Sequence, residues 1–396
     1  MARVAAVGPV RPKRPPPWND PRVRAIVFQI LFVAAVVALG AFLVGNTLAN
    51  LERQNIATGF GFLDREAAFA IGESLIAYSP ADSYGRAFVV GLCNTLYVAV
   101  LGVVLATLLG TVMGLARLSS NWLVAKLALV YVETFRNIPL ALQLFFWWGL
   151  LREGAPGPRE AWQILPDVFL SNRGIVFPLP HEDPSYRWVA VALAIGVAGA
   201  IALRRWSRRR QARTGRQFPI LWVGLGLMLG LPCAVFLAAG MPLSLDRPEL
   251  QGFNFTGGAG ISPEFGALLI GLVIYTGSFI AEIVRAGILA VGWGQSEAAM
   301  ALGLRPGQRM RFVVLPQALR VIVPPLTSQY LNLTKNSSLA VVIGYPDLVS
   351  IANTTLNQTG QAVEGIAMIM AVYLAISLTI SLAMNLYNRA VALVER

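Results

Sequence analysis

The chain has 396 residues, 56% hydrophobic and 13% charged, with a mean hydropathy of +0.62. A soluble domain carries about a quarter charged residues, so this composition excludes a water-soluble globular protein and points to one that uses lipid as solvent. The net charge of +12 does not mark a nucleic-acid binder, because only three of the 32 basic residues are lysines and the arginines cluster between apolar runs; that pattern is membrane topology.

Residues 1–24 form a Pro/Arg-rich head containing "RPKRPPPWND", too proline-dense to pack a core and expected to be disordered. Eight stretches approach the roughly 20 apolar residues that a spanning helix needs. The first, 25–49, outruns a cleavable signal segment and reads as an uncleaved anchor; with the polar piece up to 85 it makes the first unit. Spans at 86–116 and 127–151 form one half of a core. Residues 152–263 read as an insertion holding two loops and two spans, 188–203 and 218–240, separated by seven arginines at 204–216. The other half, 264–396, holds spans at 264–290, 323–345 and 364–388, with an interrupted amphipathic loop at 291–322. Trp147, Trp148 and Trp188 read as an aromatic belt. Cys93 and Cys233 lie inside apolar runs and imply no disulfide.

With both termini on the cytoplasmic side, 22 basic residues fall in cytoplasmic segments and 8 in external ones, as the positive-inside rule requires. The loop at 291–322 is then cytoplasmic. Ser296 is an N-cap candidate, "EAAMAL" is strongly helix-forming, Gly303 is a C-cap candidate, and Pro306 and Pro316 suit first helical turns. Alone, this is either an amphipathic connector resting on lipid or a docking element.

The spacing Glu297-Ala298-Ala299, then Gly303, then Leu315-Pro316, resembles the "EAA" loop in membrane-spanning permeases of bacterial ABC importers. "YTGSFIAEIVRAGILAVGWGQSEAAMALGL" and Tyr131, Glu133, Arg136 and Pro139 of "YVETFRNIPLALQLFF" are similar to the family's amino-acid branch. Where that branch commonly has Lys-Asp-Thr-Ser-Leu, this chain has Lys335-Asn336-Ser337-Ser338-Leu339. The resemblance implies an all-α integral membrane protein of about eight transmembrane helices, a type I importer core with two extra inserted spans. It implies a multi-pass protein of the bacterial inner membrane, working by alternating access on L-amino acids of general or acidic and amide type. Glu297, Ala298, Ala299, Gly303, Arg305, Leu315 and Pro316 would then dock a separate ABC ATPase. The other implied partners are a second permease subunit, a paralogue rather than a self-copy, and a periplasmic amino-acid-binding protein.

Charges inside spans are costly and are functional or paired. Glu282 and Arg285, and likewise Glu133 and Arg136, stand three apart and suit ion pairs that either stabilise helix ends or gate the inner mouth. Lys335 has no acidic residue within four positions and needs an interhelical or pathway partner. Asn94, Thr95, Glu133, Arg136, Gln143, Asn332, Lys335, Asn336, Ser337 and Ser338 are the substrate-path candidates. No Gly-Lys pair occurs, so no P-loop exists in this chain; no cofactor is expected on it, and ATP and Mg would sit on the partner ATPase. No metal site is expected, since His181 is the single histidine. A serine hydrolase would have only Ser74 and His181 to draw on, so no catalytic residue is assigned. An ion-gradient-driven secondary transporter is the alternative.

Overall fold

The computed structural model describes residues 20–53, 58–181, 183–216, 218–241 and 244–391; most of the proline-rich head lies outside them. The described chain is mostly helical. Among the described residues, six helices are long and apolar enough to cross a membrane, or seven if one bent pair counts as a span.

The long helices follow the apolar runs: α1 (Pro21–Arg53), α2 (Tyr84–Ala116), α5 (Ser185–Thr214), α8 (Pro263–Leu289) and α13 (Ala362–Val391). The expected span at 127–151 is instead broken into α3 (Trp122–Asn137) and α4 (Leu140–Glu153). Pro139 disfavours helical geometry at Ile138, which is extended at ψ 126°. The span at 218–240 is α6 (Ile220–Leu225), a π turn and α7 (Leu231–Ala238) in one run.

Ser296 is not an N-cap, because α9 (Trp293–Ala301) starts a turn earlier with Gly292 in the cap position. Pro306 does open α10 (Pro306–Arg309). A π turn at Met310–Val314 carries α10 into α11 (Leu315–Asn336), whose first turn holds Pro316 as expected. After α11 the chain tightens into a 3₁₀ run, Ser337–Ile343, and α12 (Leu348–Thr359) leaves at a 50° bend.

The all-α expectation also fails in the two loops of 152–263, whose described residues hold eight short strands. Strands β1 (Trp162–Leu165), β2 (Val168–Ser171) and β3 (Gly174–Phe177) form an antiparallel meander. Two further pairs are β4 (Leu179–Pro180) with β5 (Leu245–Asp246), and β6 (Glu249–Gln251) with β7 (Asn254–Thr256). Strand β8 (Ala259–Ile261) pairs with β3, joining the two loops into one sheet at one end of the helices.

The core centres on α8, whose buried Leu268, Leu272 and Ile280 meet Val98 of α2, Leu144 of α4 and Ile322 and Leu333 of α11. Gly110 and Gly114 let α2 lie against α8: a Cβ at Gly110 would come within 2.6 Å of Ile280, and one at Gly114 within 2.7 Å of the Ala281 carbonyl. A second cluster at the sheet end packs Phe62 and Tyr84 on Leu348 and Ile351.

Candidate functional site

At the end of the bundle away from the sheet, α9 projects from the core. Its C-terminus closes on Gly303 at φ +72°, a left-handed residue that suits glycine. The Gly303 amide donates to the Met300 carbonyl at 2.9 Å and the Leu304 amide to the Ala299 carbonyl at 3.1 Å. Ala299 is buried while Glu297, Ala298, Gly303, Arg305, Leu315 and Pro316 are exposed. Leu302 at the tip is 81% exposed and Trp293 69%. The Arg305 amide donates to the Gln308 side chain at 3.0 Å, fixing the start of α10. Together these make an apolar-tipped projection with small residues on its flank.

Just inside this end lies an ion cluster. Arg285 meets Glu282 at 2.5 Å on α8, as their spacing suggests, and Arg117 from the end of α2 joins the same carboxylate. Arg117 was not among the sequence candidates because it reads as the first residue of a loop. The expected Glu133–Arg136 pair does not form: Arg136 lies over the Phe279 ring, 5.0 Å from its centroid. The Glu133 carbonyl accepts from Asn137 at 2.6 Å.

A polar cleft of about 270 Å³ opens between α8 and α11, lined by Tyr275, Thr276, Phe279, Gln329, Asn332 and Asn336. Of the path candidates, the structure brings Asn332 and Asn336 together here. Gln329, Asn332 and Asn336 stand at i, i+3 and i+7 of α11, a spacing that could have revealed the face. Lys335, exposed, and Ser338, half-buried, do not line the cleft, and the Ser338 hydroxyl donates to the Lys335 carbonyl at 2.7 Å. Ser337 is buried and donates to the Thr334 carbonyl at 2.7 Å.

The remaining candidates hold backbone. Gln143 donates to the Phe135 and Ile138 carbonyls, both at 3.0 Å, across the α3–α4 break. Asn94 donates to the Glu73 and Pro346 carbonyls at 2.9 Å, and the Thr95 hydroxyl accepts from the Leu348 amide at 3.0 Å.

At the sheet end, a second cavity of about 390 Å³ is lined by Glu73, Ser262, Glu264, Ser350 and Thr354, among others. The Ser262 hydroxyl donates to Glu73 at 2.5 Å, while Trp148 and Arg152 each reach Glu264 at 3.3 Å. Burial raises the Glu73 carboxyl above its ordinary value, and the Ser262 hydroxyl pulls it partly back. Its contact lies 189 residues away in sequence, so no local motif announces it.

Residues 106–394 match the family of the binding-protein-dependent transport system inner membrane component. The chain is 50% identical over 377 residues to the general L-amino acid transport system permease protein AapQ of Rhizobium johnstonii, covering 95% of this chain and 94% of that one. It is 52% identical over 383 residues to the putative amino-acid ABC transporter permease protein YhdX of Escherichia coli K12, covering 96% and 97%. It is 44% identical over 409 residues to the glutamate/glutamine/aspartate/asparagine transport system permease protein BztB of Rhodobacter capsulatus, covering 95% and 96%. With that match spanning most of its length, and with its long apolar helices, the chain belongs to the family of binding-protein-dependent transport system inner membrane components.

Proposed function

We propose that this chain is the permease subunit of an ATP-driven importer of L-amino acids, the class named for its relatives. Eight crossings follow if each broken helix crosses once: α1, α2, α3 with α4, α5, α6 with α7, α8, α11 with the 3₁₀ run after it, and α13. Both termini are then cytoplasmic in a bacterial inner membrane, and the sheet faces outward towards a periplasmic binding protein. The observation that carries this reading is the projecting α9–Gly303–α10 knob, with Leu302 81% exposed at its tip. Glu297, Ala298, Gly303 and Arg305 present the knob to a separate ATPase, whose site holds ATP and Mg. ATP-driven closure of that ATPase moves the knob, and the motion reaches the Arg117–Glu282–Arg285 cluster and the cleft at Asn332 and Asn336. One such core encloses no central path, so it pairs with a second permease subunit, a paralogue.

The test is a pull-down of the detergent-solubilised protein beside a Glu297→Arg, Gly303→Pro variant, proline being barred from positive φ. An ATPase retained by the wild type and lost by the folded variant supports the reading. Absence of any ATPase together with uptake driven only by an ion gradient overturns it in favour of a secondary transporter.

A further inference from the structure

The α5 helix does not stop where its apolar run stops. That run ends at Leu203, and the helix continues unbroken to Thr214. The continuation carries Arg204, Arg205, Arg208, Arg209, Arg210 and Arg213, all exposed except the half-buried Arg210. At about 100° per residue, the other five arginines spread over one arc of about 180°. Ser207 points about 150° away from the middle of that arc. It is buried at 6% exposure, on a helix that packs against α6 and α7.

Arg210 lies outside the arc and is engaged locally. Its guanidinium stacks over Trp206 at 5.2 Å and Phe218 at 5.9 Å, and the two rings meet edge-on at 5.5 Å. This clamp holds Phe218 beside the helix, on the side away from the arc. No Asp or Glu occurs between Asp183 and Asp246. None of the arc's arginines forms an ion pair among the described residues.

Depth places the arc at the bilayer margin. Trp188 to Arg204 is about 24 Å of helix, and Arg213 lies about 14 Å further on. Against a hydrocarbon layer of about 30 Å, the first arginines sit at its edge with stems long enough to reach headgroups. Trp206, 48% exposed, lies at the same level, where interfacial tryptophans collect. Orientation in the membrane needs charge beyond the apolar run but no one-sided helical face.

We propose that this arginine face binds the anionic phospholipid headgroups of the adjoining leaflet. Guanidinium forks match the paired oxygens of a phosphodiester, and the acid-free surroundings leave those forks unspent. The bound headgroups fix the depth at which the α5–α7 hairpin rests.

The test uses the full-length protein, delipidated in mild detergent and offered equimolar phosphatidylglycerol and phosphatidylcholine, with retained lipid counted by native mass spectrometry. Each arginine near an anionic surface changes partition roughly fivefold. Arg204→Gln/Arg208→Gln is therefore expected to lower the phosphatidylglycerol preference about tenfold or more, while Arg309→Gln/Arg311→Gln leaves it unchanged. Only two of the seven charges at 204–216 are removed, so the orientation signal stays. In the wild type alone, raising ionic strength from about 0.05 to about 0.5 M is expected to erase most of the preference by screening. Equal retention of the two lipids by the wild type overturns the proposal, as does an unchanged preference in the variant. Full displacement by millimolar inorganic phosphate also overturns it, since that marks a soluble-anion site.

Discussion

Ser262 does two jobs with one hydroxyl: it accepts from the Phe265 amide at 3.0 Å, capping α8, and donates to Glu73 at 2.5 Å. A cap is worth about 1 kcal/mol and a hydrogen bond to a charged group about 1.5–3 kcal/mol, so Ser262→Ala should cost about 2–4 kcal/mol. Thermal unfolding in detergent measures it, and a loss below about 0.5 kcal/mol would show that Glu73 finds another donor. Because burial raises the Glu73 carboxyl, the folded chain holds that proton more tightly than the unfolded chain does. The resulting stability is present below the unfolded value and is lost as pH rises through the raised one. Glu73→Gln keeps an acceptor for Ser262 and should flatten that part of the melting profile; an unaltered profile would assign the slope to other groups. At Gly303, φ +72° costs an L-residue about 1–2 kcal/mol. Gly303→Ala should therefore weaken ATPase retention while the protein stays folded, and retention at wild-type level would remove the turn from the docking surface. Gly303 was legible in sequence from its place after a helical run. Ser262 and Glu73 were not, because their meaning lies in a contact between distant segments.

Among the elements, α2 and α8 meet through glycine, and packing there has no room for a larger side chain. Gly110→Val should cost about 1–3 kcal/mol or more through overpacking against Ile280 and the Gly277 carbonyl. A melting temperature equal to wild type would mean the two helices can separate freely. The long spans were readable because lipid demands unbroken apolar runs, and a run is a local property. The α3–α4 break was harder to see, since Arg136 and Asn137 before it do not by themselves end a helix and only Pro139 marks it. Gln143, which looked like a pathway residue by polarity alone, bridges that break. The strands were missed because none exceeds four residues and they lie among prolines and glycines, leaving no alternating pattern long enough to read.

For the whole molecule, the proposed function puts the cleft between α8 and α11 on the substrate route. Asn332→Leu with Asn336→Leu should lower amino-acid uptake into liposomes about tenfold, the scale of one lost hydrogen bond to a charged ligand. The same variant should retain the ATPase; uptake at wild-type rates would take the cleft off the route. Strand β8 pairs with β3 across a gap of more than eighty residues and ends one residue before Ser262. The meander of β1, β2 and β3 is local and can form as soon as it is synthesised, but its last edge must wait until α5, α6 and α7 have been made. Such non-local strand pairing is slower than a local hairpin. Completion of the sheet and nucleation of α8 are therefore one late event in synthesis, and the central helix of the bundle starts from a strand that has only just found its neighbour.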